Sequence, residues 1–202
     1  RDYNVTEVLA GGRELVRRYE RATHEQQAVV QAAVDARRLG IQAPLSDRLL
    51  CAAARGHLSR VYPDDTWFGP VLAELTSDHR PQDRATAPLI PIPGPDRSRA
   101  LGYTVADYLL QRLARERRAV RVPATTWRAF IAHTSDHGDL ARLANSAKAR
   151  LLYGYATPLF RRLADAGDGL AAMQLAWLLE RQGHLDELRA RADTGDRFAA
   201  WQ

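Results

Sequence analysis

Three groups of residues have types and spacings that could do chemistry. His133 and His137 stand four apart, with Asp136 and Asp139 beside them. On a helix that spacing puts both imidazoles on one face, where they could hold a metal ion. Thr134-Ser135 and Gly138 read instead as a turn, and there is no His-Glu-x-x-His pattern, so no metal site is expected. Cys51 could act as a nucleophile with a distant histidine. It lies in the apolar run Leu49-Leu50-Cys51-Ala52-Ala53, where a buried, inert thiol is the expectation. Glu180, Asp186 and Glu187 read as solvated helix ends. No Gly-x-Ser-x-Gly and no Gly-x-Gly-x-x-Gly occurs. No catalytic residue, no cofactor and no enzymatic activity are expected of this chain.

The second group is Arg112, Arg115, Arg117, Arg118 and Arg121, several guanidinium groups at one helix end that could pair phosphates of a nucleic acid. Glu116 interrupts the cluster, and arginine-rich faces are common throughout the composition. The third group is aromatic. Tyr153, Tyr155, Trp177 and Trp201 could line a concave surface that binds a protein or peptide, or they could fill the core between helices. Helical spacing favours the core for Trp177.

Composition bounds what these groups could serve. The chain has 202 residues, 46% of them hydrophobic, enough for one or two domains with a core. Its net charge is +5, and Lys148 is the only lysine, so 28 of the 29 basic residues are arginine. A basic balance suits an acidic partner. Arginine and alanine are spread along the whole chain, however, as a high-GC coding sequence would produce. A single cysteine permits no internal disulfide and fits a reducing cytoplasm. No apolar run approaches the ~20 residues of a membrane span, and no signal peptide is visible.

Start and stop signals then place the elements. Gly11-Gly12 precedes a helical stretch, Arg13 to Arg21, with Leu15, Val16 and Tyr19 as its stripe. Thr23-His24-Glu25-Gln26 reads as a capping box for a helix that stops at Gly40. A third helix is expected from Ser46 to Arg55. A fourth is capped by Asp64, or begins later at Gly69 because Pro70 would cost ~3 kcal/mol in a helix interior. Residues 77–100 hold five of the ten prolines (Pro81, Pro88, Pro91, Pro93, Pro95). Each disfavours helix at the residue before it, so Pro88–Ile92 reads as an edge strand paired with Leu101–Tyr103. Thr104 is expected to cap a helix from Val105 to Arg118, and Thr125 or Thr126 to start one with Trp127, Phe130 and Ile131 inward. Asp139 caps a helix through Tyr155, Thr157-Pro158 opens the next, and Asp168 and Gly183 bracket another. In that last helix Leu170, Met173 and Trp177 line one face and Ala172, Leu175, Ala176 and Leu179 the other, so it is expected to be sandwiched.

The end of the chain repeats. Ala164-Asp165-Ala166-Gly167-Asp168-Gly169-Leu170-Ala171-Ala172-Met173-Gln174 returns as Ala192-Asp193-Thr194-Gly195-Asp196-Arg197-Phe198-Ala199-Ala200-Trp201-Gln202, an offset of 28 with seven of eleven positions identical. A fixed offset of this size marks a helical solenoid. Gly138-x-Leu140-x-x-Leu143 also echoes Gly183-x-Leu185-x-x-Leu188. The pattern over residues 164–183 resembles Sel1-like and shortened tetratricopeptide repeats. With Leu15–Glu20, Asp35–Gly40 and the Ala87–Leu89 to Val105–Leu109 segment, the wider chain resembles the C-terminal half of actinobacterial STAND-type regulators. Such proteins couple a P-loop NTPase to a winged-helix-like linker and a helical-repeat sensor. No Gly-x-x-x-x-Gly-Lys-Ser/Thr is present, so that NTPase would lie outside this chain.

The expectation is therefore an all-α fold, a multi-helix array ending in helical hairpins, with one short β-hairpin near 88–103. It divides into a helical region 1–76, a proline-rich segment 77–123 that could form a winged-helix-like module with 45–76, and a repeat region 124–202. The absence of an initiator Met and the incomplete second repeat lead to the expectation of a piece of a longer protein. Its expected role is non-catalytic: a cytoplasmic sensor or regulatory module that binds a protein or peptide, including other domains of its own parent chain, and no membrane. The alternative is a nucleic-acid-binding regulator using the arginine-rich helix 105–121.

Overall fold

The computed structural model describes residues 5–77, 87–96, 99–193 and 199–201, with the side chains of 5–10 and of Trp201 outside the description. It is mostly helical, with one short antiparallel hairpin. Two compact units form: residues 1–38 with 43–133, and residues 39–42 with 134–202. The helix over 124–133, expected in the repeat region, belongs to the first unit because it packs on the third helix of the chain.

In the first unit, α1 (Val5–Glu20) runs straight through Gly11-Gly12, which were expected to precede it. Two mid-helix glycines cost about 1 kcal/mol each, but Gly12 admits a close neighbour. A Cβ there would lie 2.6 Å from the ring of Tyr108 on α5 (Asp107–Glu116). The capping box of α2 (His24–Leu39) forms as expected: Gln26 N–H donates to Thr23 Oγ1 at 3.3 Å, and Thr23 N–H to Gln26 Oε1 at 3.0 Å. The helix ends at Gly40 with φ +105°. Ser46 caps α3 (Asp47–Ala54) through Leu49 N–H. In α4 (Phe68–Thr76), Gly69-Pro70 falls in the first turn, where a missing N–H removes no helical bond. Asp64 does not cap it; its carboxylate accepts from Thr66 N–H and Oγ1 in the preceding loop.

Strands β1 (Leu89–Pro93) and β2 (Ala100–Val105) pair antiparallel, with Pro91 opposite Tyr103. Pro91 and Pro93 confine β1 to the edge. The other side of β2 is also used: Leu45 and Tyr103 exchange both backbone hydrogen bonds at 2.9 Å. Gly102 makes this possible, because a Cβ there would sit 2.8 Å from the Leu45 carbonyl oxygen. The strand continues through Val105, so Thr104 is not a helix cap; its hydroxyl accepts from Arg37. After α5, α6 (Ala124–His133) lies against α3. Thr126, expected near its start, is buried and donates to the Ala53 carbonyl at 2.9 Å.

The second unit is a succession of helices joined by turns of two or three residues, the lengths that make neighbours antiparallel: α7 (His137–Ala149), α8 (Tyr153–Asp165), α9 (Gly169–Gln182) and α10 (Leu185–Asp193). Asp136, not Asp139, caps α7. The break after it falls at Arg150–Leu152, not near Thr157, and Pro158 lies inside α8. Its cause is a C-terminal turn in which Leu152 N–H reaches back to the Ala147 carbonyl and Leu151 takes φ +59°. The same bond pattern closes α8 at Gly167 and α9 at Gly183. The three left-handed residues, 151, 167 and 183, are sixteen apart, and the capping aspartates 136 and 168 are thirty-two apart. The echo between 138–143 and 183–188 does not correspond to equivalent positions: Gly138 is in the first turn of α7, and Gly183 ends α9. Residues 194–198 and Gln202 of the second sequence copy lie outside the described residues.

Leucine in the left-handed region costs roughly 1–2 kcal/mol, and Leu151 is 70% exposed. Leu151→Gly should therefore raise stability by about 1 kcal/mol in urea melts, whereas Gly183→Ala, with open space but φ +73°, should lower it by a similar amount.

Candidate functional site

The five arginines of the expected phosphate-binding cluster do not share one fate. Arg115, Arg118 and Arg121 are exposed. Arg112 pairs with Glu116 one turn on, at 2.6 Å. Arg117 turns inward, 12% exposed, and its guanidinium fork holds Asp35: Nε to Oδ1 at 3.1 Å and Nη2 to Oδ2 at 2.8 Å. Asp35 is fully buried on α2. It also accepts from Arg38, whose other nitrogen reaches the carbonyls of Arg118 and Val120.

His57 completes this cluster in an unusual way. Its Nε2 is 3.4 Å from Asp35 Oδ2, yet it has no hydrogen-bond partner among the described residues. The carboxylate is already satisfied by two guanidinium groups. Burial, with Arg117 adding to it, outweighs the attraction of Asp35 and holds the imidazole neutral, its pKa pushed down to about 4.

In the second unit the structure brings Tyr153 and Trp177 together edge to face, ring centroids 6.3 Å apart. Tyr155 lies two residues on, about 200° around α8 from Tyr153, and is not part of this pair. Trp201 has no described side chain. Trp177 carries two cations over its ring, Lys148 Nζ at 4.5 Å and Arg181 Cζ at 5.3 Å from the centroid. Lys148 also donates to Gln174 Oε1. The strip that Trp177 continues is open: Leu170 is 74% and Met173 39% exposed. Only the other face of α9, with Ala171, Leu175, Ala176, Leu178 and Leu179, is buried. The expected sandwich is thus one-sided. Lys148 and Arg181 were not anticipated here; the signal available was that the chain's single lysine lies on a helix two before α9.

The remaining candidates divide between structural tasks and a shallow groove. His133 ends α6, while His137 pairs with Asp168 at 2.8 Å. Asp139 is 1% exposed and accepts from Gln42 N–H and Arg142, whose Nε also donates to the Gly40 carbonyl at 2.7 Å. Among the described residues no group of three His, Cys, Asp or Glu could hold a metal ion. Between α3 and α6 an open groove of about 740 Å³ is lined by Arg48, Cys51, Arg128 and His133 among others. Cys51 donates to Asp65 at 3.1 Å. Burial and that bond push its pKa up to about 12, which leaves almost no thiolate at neutral pH.

No family model, curated protein or solved structure matches this chain. No helix among the described residues is long and apolar enough to cross a membrane.

The buried cluster generates two measurable outcomes. Because the folded pKa of His57 lies below the unfolded value of 6.5, the unfolded chain binds more protons between the two. Stability is full above pH 6.5 and falls as the pH drops toward 4, by about 2 kcal/mol between pH 7 and 5. Urea melts at the two pH values should show this loss, and His57→Phe should remove this part of it. Asp35→Asn leaves two guanidinium groups uncompensated and should cost about 3–5 kcal/mol, read as a fall in melting temperature at pH 7.

Proposed function

We propose that this chain is a non-catalytic protein-interaction and regulatory module whose contact surface is the open face of α9. The observation that carries this reading is the strip Leu170, Met173 and Trp177, apolar side chains at helical spacing of which the first two are exposed and Trp177 is half-buried, while the opposite face of the same helix is buried. Aromatic anchors of this kind dominate binding energy at protein interfaces. The resemblance of residues 164–183 to Sel1-like and tetratricopeptide repeats supports it, as does the succession of short antiparallel helices. The resemblance of the wider chain to STAND-type regulators extends the proposal to a place in a larger cytoplasmic signalling protein with an NTPase elsewhere in its chain.

A second reading is nucleic-acid binding, favoured by the exposed trio Arg115, Arg118 and Arg121. The order α2, Leu45 bridge, α3, α4, β1, β2 is that of winged-helix-like modules. Against it, α4 holds no lysine or arginine, and Arg112 and Arg117 are engaged with carboxylates.

A photoreactive benzoylphenylalanine placed at Met173 should yield discrete adducts in cells. The same group at Arg189, on the exposed side of α10, should yield none. Absence of adducts from positions 170, 173 and 177 alike would remove the first reading. For the second, duplex DNA anisotropy at low salt should show no binding sensitive to Arg115→Gln, Arg118→Gln and Arg121→Gln together. Salt-dependent binding that the triple variant abolishes would establish it.

A further inference from the structure

Resting on the reading of α9 as an interaction surface, we infer that the strip around Trp177 takes a peptide segment in which an apolar side chain is flanked by carboxylates. Lys148 and Arg181 are both fixed over the Trp177 ring, and neither has a carboxylate partner among the described residues. Glu180, the only acid on α9, pairs with neither. Two cations without counter-ions beside an exposed apolar surface attract negative charge, and they do so at short range because the ring orients both and Gln174 also holds Lys148. The apolar half of the specificity comes from Met173 and Leu170, four and seven residues before Trp177 on the same face. That face is roughly 10 Å long at 1.5 Å per residue, the length of about three residues of extended peptide.

A nucleic acid strand would also bring negative charge, and it would stack its bases on exposed aromatic rings. Here the cations lie over the ring, where a stacked base would go, Tyr153 meets the ring edge to face, and the strip that continues from it is Met173 and Leu170. The chemistry therefore favours an acidic, apolar peptide.

The test is selection of random twelve-residue peptides, displayed on phage, against the full 202-residue chain. A synthetic copy of the most enriched peptide is then measured by fluorescence anisotropy. The inference expects Asp or Glu beside Leu, Ile or Phe in the enriched peptides. It also expects affinity to fall at least tenfold in the Lys148→Gln, Arg181→Gln double variant and with added salt. Met173→Glu, which leaves both cations in place and adds a surface carboxylate, should weaken binding comparably while circular dichroism stays unchanged. Enriched peptides without acidic residues, or binding that Met173→Glu weakens but the double variant and salt leave unchanged, overturn the inference while leaving α9 as an interaction surface; binding indifferent to all of these variants overturns both. No enriched peptide, together with oligouridylate binding that Trp177→Ala abolishes, overturns both.

Discussion

A carboxylate taken out of water has to be paired, and each unit of this protein is built around one that is. Asp35 is buried on α2 and receives Arg38 from one turn on and Arg117 from the end of α5. Through Arg38 the carbonyls of Arg118 and Val120 are satisfied too, so one ion holds two helices and the chain after α5 in register. In the second unit Asp139 is buried on α7 beside Arg142, again one turn on, and the pair binds the backbone at Gly40 and Gln42. Such pairs contribute little net stability against an apolar replacement but cost several kcal/mol when broken. Their effect is to exclude other arrangements of the helices that supply them.

The same chemistry explains what the arginines are for. The guanidinium group offers five donors in a rigid fork and stays charged when partly buried. Arg18 closes the carbonyls of Glu74 in the last turn of α4 and of Ser77 just after it, and Arg37 ties α2 to Ala43 and to Thr104 on β2. Arg55 binds the loop carbonyls of Tyr62 and Asp64. Arg161 and Arg191 join α8 to α10 through Glu187 and Asp165. Part of this arginine-rich composition is thus a bonding set within the fold. This is why the segment 112–121 separates into one inward arginine, one paired arginine and three exposed ones.

The second unit is periodic at a level the sequence repeat does not express. Its C-terminal turns recur every sixteen residues at 151, 167 and 183, while the identical segments are 28 apart. Backbone geometry keeps the period even where leucine replaces glycine. Because each helix is used on a limited arc, α9 buries Ala171, Leu175, Ala176, Leu178 and Leu179 and leaves Leu170 and Met173 exposed and Trp177 half-buried. The surface proposed for binding is a consequence of that division.

What the sequence determined by itself is mostly local. The Thr23–Gln26 capping box, the stops at Gly40 and Gly183, the cap at Asp168 and the proline-bounded hairpin follow from side-chain hydrogen bonding and backbone sterics within a few residues. They were legible for that reason. The positions it misplaced had signals that were absent or ambiguous: a left-handed Leu151, a strand that runs past Thr104, a Pro158 that a helix tolerates. Tertiary structure alone decided which charges are buried, which arginines are occupied and which apolar face of α9 stays in water. Those outcomes depend on residues far apart in the chain meeting in space, as Arg117 meets Asp35, 82 positions away, and Lys148 meets Trp177, 29 away. No local periodicity records which partner arrives.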